Sequence, residues 1–439
     1  MNLPIAKDTV AKLLAEKDIS NVARSTIRQQ VAITTGLEQL SGEKFVHLEI
    51  GVPGIPASKV GTDAQKQAID NGVATIYPVI SGLPELKENA SQFIKAFLDI
   101  DIAPKCIIPT VGSMQGSYNL IMECSQLDEN KDTILFINPG FPPQMLQAKI
   151  VGAKQACFDI YNFRGEKLEA KLEEFLSTGK VAAIVYSNPN NPAWYCLTEQ
   201  ELQVVAKMAD KYDAIVIEDL AYFCMDFRKE LSKPFEPPYQ STIAKYTDRY
   251  ILMMSGSKIF SYAGERIAIV AFSNKMFDRE YPRLRQLYGL GKMGDNYVLT
   301  YLYAASSGTS HSAQYALSAM MKAAVEGKFN FVKVISEYGR RAKVAKEIFD
   351  RNGFSIVYDK DGDVKLADGF YFTIGYQGMD SEQLLTGLLR CGISAMALDT
   401  TGSSQPGIRA CVSTLSTDDD MKALDERLAL FVKLQNEES

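Results

Sequence analysis

Ser255-Gly256-Ser257-Lys258-Ile259-Phe260-Ser261-Tyr262-Ala263-Gly264-Glu265-Arg266 joins two apolar runs, Tyr250 to Met254 and Ile267 to Phe272, each the length of a buried strand. It holds one lysine, hydroxyls on either side of it, a glycine and an arginine. A lysine amine can bond covalently to a carbonyl. Ser255, Ser257 and Arg266 can donate hydrogen bonds to an anion, the arginine as a forked, charge-assisted pair. Two readings are open for this stretch alone. One is a covalent site for a carbonyl cofactor with an anion pocket, as pyridoxal phosphate would need. The other is a solvated lysine and a surface arginine beside a loop.

Outward from this stretch, short apolar runs alternate with helical periodicity. The pattern predicts strands over 106–110, 133–137, 154–158, 181–186 and 214–218, with helices between them such as 199–212. Such alternation predicts a mostly parallel α/β sheet covered by helices on both faces, with ligands gathering at the carboxyl ends of its strands. Near the N-terminus the spacing predicts helix over 5–40, broken at Ser20/Asn21, then a strand at 45–50. The Gly51-Val52-Pro53-Gly54 cluster then reads as a crossing between domains. Helices are expected at 58–71, 312–325 and 329–351. Strands near 354–358, 369–374 and 408–412 predict a small α/β unit. The division expected is 1–55 and 326–439 for a smaller domain built from both chain ends, and 56–325 for a larger one.

Composition narrows the function. The 439 residues are 46% hydrophobic and 23% charged with net charge −6, and no Lys/Arg-rich run occurs, which argues against nucleic-acid or anionic-membrane binding. No apolar run reaches the length of a membrane span. Seven cysteines without CxxC spacing read as reduced core thiols of a cytoplasmic protein. Only two histidines occur, His47 and His311, so no metal site or histidine triad is expected. Gly289-Leu-Gly291-Lys-Met-Gly294 matches GxGxxG but follows a charged stretch instead of a strand, and a dinucleotide site is rejected.

Five further segments sit at predicted strand ends, and each has two readings. Thr110 to Ser117 opens a helix with small residues that let backbone amides approach an anion, or is a plain turn. Phe141 follows Asn138-Pro139-Gly140, as a ring-stacking partner or a core aromatic. Ser187-Asn188-Pro189-Asn190-Asn191-Pro192 is a rigid loop presenting amides, or turn chemistry alone. Asp219, after Ile215-Val216-Ile217, needs a partner to offset its burial, either a protonated pyridine nitrogen or a protein group. Arg409 offers a fork for a carboxylate, or is a surface arginine.

Taken in order, these segments resemble the fold-type I pyridoxal-phosphate enzymes of the class I/II aminotransferase family, from Gly51-Val52-Pro53 to Arg409. The resemblance rests on Asn188-Pro189-Asn190-Asn191-Pro192, Asp219-x-x-Tyr222 and Ser255-x-Ser257-Lys258 with Gly264-x-Arg266. Asp219 lies 28 residues after Asn191, and Lys258 another 39 on, as the family's spacing requires. It implies an enzyme that moves an amino group between an amino acid and a 2-oxo acid. Lys258 would form the covalent link to the cofactor. Asp219 would pair with the ring nitrogen, and Tyr222 and Asn191 would bond the phenolic oxygen. Phe141 would stack on the ring. Gly112, Ser113, Met114, Ser255, Ser257 and Arg266 would hold the phosphate. Tyr77 would reach the partner's phosphate in a homodimer, Gly51 would cover the substrate, and Arg409 would bind its α-carboxylate. The same frame serves β-lyases and decarboxylases, and a non-catalytic ligand sensor is a third reading. In place of the family's usual Asn-Pro-Thr-Gly, Asn191-Pro192 continues as Ala193-Trp194. This sole tryptophan either shapes the substrate pocket or packs against the next helix.

Overall fold

A computed structural model describes residues 3–438. The chain divides into two compact units: 55–190 with 196–335, and 1–54 with 191–195 and 336–439.

The larger unit is built on seven strands. In spatial order they are Ile107–Val111, Ile267–Phe272, Tyr250–Ser255, Ile215–Asp219, Val181–Ser187, Thr133–Asn138 and Lys154–Asp159. Every residue of the four strands Ile267–Phe272, Tyr250–Ser255, Ile215–Asp219 and Val181–Ser187 is buried, so both faces of the sheet are covered. This is why the sequence shows continuous apolar runs here instead of alternation. The mostly parallel sheet is as expected. One strand departs from it: Ile267–Phe272 runs antiparallel to both neighbours. The reversal places the start of that strand at the edge where the parallel strands end. Arg266 therefore meets Gly112, whose amide donates to its carbonyl at 2.8 Å, at the edge where the strand ending at Ser255 also stops.

The smaller unit carries an antiparallel sheet in the order Met396–Ala397, Ile408–Cys411, Tyr371–Tyr376, Phe354–Ile356. Separately, Val46–His47 pairs in parallel with Ile393–Ser394. Two strand expectations need correcting. The strand read over 45–50 is two residues long; Leu48 still bonds Ser394 and Cys411 through its backbone before the chain turns away. The strand at 354–358 ends at Ile356. The helical region 5–40 breaks where expected: a helix Lys7–Glu16, a single turn Val22–Arg24 capped by Asn21, and a helix Ile27–Ser41 that Thr26 opens with a capping box. Cys106, Cys124, Cys224, Cys391 and Cys411 are buried and Cys196 partly so, whereas Cys157 is exposed, against the reading of the cysteines as core thiols.

Candidate functional site

The larger unit gathers most of the expected cofactor residues along one edge of its sheet; Asn191 belongs to the smaller unit and Tyr77 to an exposed loop. Gly112 opens the helix Gly112–Cys124, whose N-cap residue Val111 supplies no side-chain cap. The first-turn amides, Ser113 and Met114 among them, keep the donor character of a helix N-terminus. Gly112 has φ +65°, and a Cβ built there would lie 2.6 Å from Arg266 Nη2. Glycine is needed on both counts, left-handed backbone and close approach of a guanidinium. Arg266 itself has φ +52°, and its Nη1 donates to the Ala263 carbonyl at 2.8 Å. Ser255 ends its strand and caps the short helix Gly256–Ile259, its Oγ accepting from the Ser257 amide at 3.1 Å. Lys258 lies in that helix, half-buried. A cup of backbone amides, two serines and an arginine beside one lysine fits a phosphate-bearing carbonyl cofactor.

The adjacent strand ends at Asp219, which registers with Met253 of the lysine's strand and with Ser187 on its other side. Asp219 is buried. Its Oδ1 accepts from the Ala221 amide at 3.0 Å and its Oδ2 from Gln144 Nε2 at 2.8 Å. Burial pushes its carboxyl up to about 6, and these two hydrogen bonds only partly counter that. The partner that the sequence required is thus a neutral amide. A cationic ring nitrogen would supply the charge compensation that Gln144 cannot. The neighbouring Glu218 points to a different task. It is also buried and pushed up to about 7, and it accepts from Thr242, Asn188 and the Ile243 amide, tying down the loop after Ser187.

Gln144 was not singled out from sequence. It lies in the helix Pro142–Ile150, which follows Phe141. The same helix carries Gln147, whose Nε2 donates to the Met114 carbonyl at 2.9 Å and whose Oε1 accepts from Ser117 at 2.7 Å. One short helix is therefore bonded both to Asp219 and to the first turn of the phosphate helix. Asking what pairs a buried Asp219 was the only signal pointing to Gln144. Tyr222, three residues past Asp219, is also buried.

The smaller unit brings Gly51, Asn191 and Arg409 together. Arg409 is buried on the strand Ile408–Cys411. Its Nη1 donates to Asn191 Oδ1 at 3.2 Å and its Nη2 to the Glu49 carbonyl at 2.7 Å. Among the described residues it forms no salt bridge, and its Nε–H has no hydrogen-bond partner. The side chain of Glu49 turns elsewhere, to His47 Nδ1 at 2.8 Å, and His47 is raised above its usual range chiefly by that bond. Trp194 is fully buried within this unit. Tyr77 lies in the loop after the turn Val73–Thr75 of the larger unit, with 89% of its surface exposed. Among the described residues no group of His, Cys, Asp and Glu could hold a metal, and no helix is long and apolar enough to cross a membrane.

The chain is similar to aminotransferases of known sequence and known structure. Over 352 residues, 75% of the chain is 23% identical to a probable aspartate aminotransferase of Methanocaldococcus jannaschii, covering 87% of that protein. An aromatic-amino-acid aminotransferase of Thermococcus litoralis is 26% identical over 250 residues, 56% of the chain and 60% of its own length. A solved structure of an aspartate aminotransferase variant from Thermus thermophilus shares the fold with TM-score 0.74 and 17% identity, over 93% of this chain and 96% of that one. The family model described as aminotransferase class I and II matches residues 43–427, nearly the whole chain, and the protein belongs to that family.

Proposed function

We propose that this aminotransferase exchanges an amino group between an α-amino acid and a 2-oxo acid, both held by their α-carboxylate on Arg409. The observation that carries the reading is the buried, acid-free guanidinium. A buried charge without a counter-charge costs on the order of several kcal/mol. Arg409 bears that cost while its forked N–H edge meets only a backbone carbonyl and an amide oxygen. A carboxylate ligand supplies the missing charge in the geometry that guanidinium prefers.

When bound, pyridoxal phosphate supplies an electron sink for the pair released as the substrate's Cα–H bond breaks. The amides of Gly112, Ser113 and Met114, with Ser255, Ser257 and Arg266, would hold its phosphate. Phe141 would lie against its ring. Tyr222 and Asn191 would donate to its phenolic oxygen; an amide can do this while its oxygen accepts from Arg409. Asp219 would keep a proton on the ring nitrogen, and burial strengthens that pairing. Lys258 would hold the cofactor covalently, then carry the proton away from Cα as a positioned base. Arg409 would fix the carboxylate and so select which bond at Cα is aligned to break.

The test is a half-reaction screen. The cofactor-loaded protein is mixed with each of the twenty amino acids and the loss of its visible absorbance is followed. Formation of a 2-oxo acid together with pyridoxamine phosphate supports transfer, whereas ammonia and pyruvate would indicate a lyase. Arg409→Ala should raise KM for every reactive amino acid by about 10²-fold. An unchanged KM would move the carboxylate site elsewhere.

The active form is proposed to be a homodimer, with Tyr77 reaching the partner's phosphate. Its support is the run Ile76, Tyr77 and Val79, exposed on one loop of a single chain, since consecutive exposed apolar side chains of this size mark contact surfaces. A solution mass near twice 48.6 kDa is expected, and a stable, active monomer would overturn the shared site. A cytoplasmic location is proposed on the reduced-thiol reading of the cysteines.

A further inference from the structure

Tyr371 begins the strand Tyr371–Tyr376 and registers opposite Cys411. Its side chain therefore leaves the same sheet face as Arg409, two residues away on the neighbouring strand. Such diagonal neighbours are within reach when one is aromatic and the other long. The Arg409 guanidinium carbon lies over the Tyr371 ring, 4.4 Å from its centroid, and both residues are buried. Trp194 meets Tyr371 in a T-shaped contact, with centroids 6.2 Å apart and planes at 71°. Trp194 can lie there only because residue 369 is glycine, where a Cβ would stand 2.0 Å from the indole Cε2. At the phenol end, a Cβ on Gly51 would stand 2.3 Å from the Tyr371 oxygen.

We infer that Tyr371 is the positioning residue for Arg409, and that residue 51 is glycine because the phenol occupies the space a side chain would need. The inference rests on the assignment of Arg409 to the substrate carboxylate. The physical point is the difference between a ring and an acid as a partner. A carboxylate beside Arg409 would neutralise it and occupy the N–H fork that substrate requires. An aromatic face attracts the cation through its quadrupole and takes up none of its N–H groups. Trp194 backs the ring, so the departure at Ala193-Trp194 serves the carboxylate site indirectly and does not end as idle packing. The segment before Gly51 is drawn in as well, because the Glu49 carbonyl accepts from Arg409.

Four variants test this: Tyr371→Leu, Tyr371→Phe, Gly51→Ala and the double variant Gly51→Ala/Tyr371→Phe. Each is loaded with pyridoxal phosphate, and KM and kcat are measured for the amino acid that the wild type converts fastest among the twenty. Tyr371→Leu should raise KM about tenfold while kcat stays within about threefold, the scale expected for loss of a buried cation–π contact. Tyr371→Phe keeps the ring and should stay within about threefold. Gly51→Ala should raise KM about tenfold, and removing the phenol oxygen in the double variant should restore it to within about threefold. That rescue is specific to the Gly51–Tyr371 contact and would not follow from general loosening. An unchanged KM in Tyr371→Leu, or a double variant no better than Gly51→Ala, would overturn the inference while leaving transamination intact. If Tyr371→Leu fails to fold, the Gly51 pair decides alone. A wild type that converts none of the twenty would instead overturn the carboxylate assignment, and the inference with it.

Discussion

Lys258→Ala is expected to abolish turnover and, with it, the visible imine absorbance of the loaded protein. Lys258 lies in the short helix that Ser255 caps at the end of a strand buried on both faces, so the sheet and the cap fix its backbone. Removing the side chain should leave the fold and the phosphate cup intact. It takes away the lysine placed at this strand end, and two tasks fail together. No amine remains to bond the cofactor's aldehyde, and no base remains to carry the proton from Cα. Loss of a positioned base alone costs up to roughly 10⁴-fold. We therefore expect a fall in kcat of at least that size, with cofactor still retained by the phosphate contacts. Lys258→Arg should behave like Lys258→Ala despite keeping the charge, because guanidinium stays protonated and does not bond the aldehyde. Imine absorbance retained in Lys258→Ala would show that another amine makes the link.

The large sheet was legible because its strands are buried on both faces. Burial of that kind leaves uninterrupted runs such as Val181 to Ser187, which end abruptly at Gly, Asn or Asp. The edge that carries the chemistry followed from those endings. The direction of Ile267–Phe272 did not, since a doubly buried strand looks the same run either way. That reversal is what delivers Arg266 to Gly112. The smaller unit was harder. Its strands are two to six residues long, and Val46–His47 is a strand only because Ile393–Ser394 lies beside it. Gln144 and Tyr371 were missed for a related reason. A glutamine near a helix start and a tyrosine in a strand are ordinary by themselves. They acquire a task from a partner 75 residues away in one case and, in the other, from a diagonal neighbour across a strand pair. Asp219 was visible because a charge after an apolar run raises a question that sequence alone can pose, whereas Arg409, which reads equally as a surface arginine, drew its role from the family resemblance.

Asp219→Asn should move activity and stability in opposite directions. Asparagine has the same shape and can still exchange hydrogen bonds with Gln144 and the Ala221 amide, but it carries no charge to hold a proton on a ring nitrogen. The rate should fall by roughly 10²- to 10³-fold, the usual cost of losing one preorganised electrostatic partner. The cofactor-free fold should respond the other way at neutral pH. The Asp219 carboxyl is raised from 3.8 to about 6 by burial. Well below pH 4 it is neutral in both the folded and unfolded chain, and its burial costs nothing extra. As pH rises from there, the unfolded chain ionises first, and the folded state loses stability until the folded carboxyl ionises too. At about 1.4 kcal/mol per unit, that loss reaches on the order of 3 kcal/mol by pH 7. Cofactor-free Asp219→Asn escapes it. Its denaturation midpoint should exceed that of the wild type at pH 7, and the two should converge well below pH 4. Glu218, raised to about 7, titrates alike in both proteins and cancels from the difference. A carboxylate kept only to brace the fold would give the reverse at pH 7, a variant less stable than the wild type. Equal rates in the two proteins would remove Asp219 from the chemistry altogether.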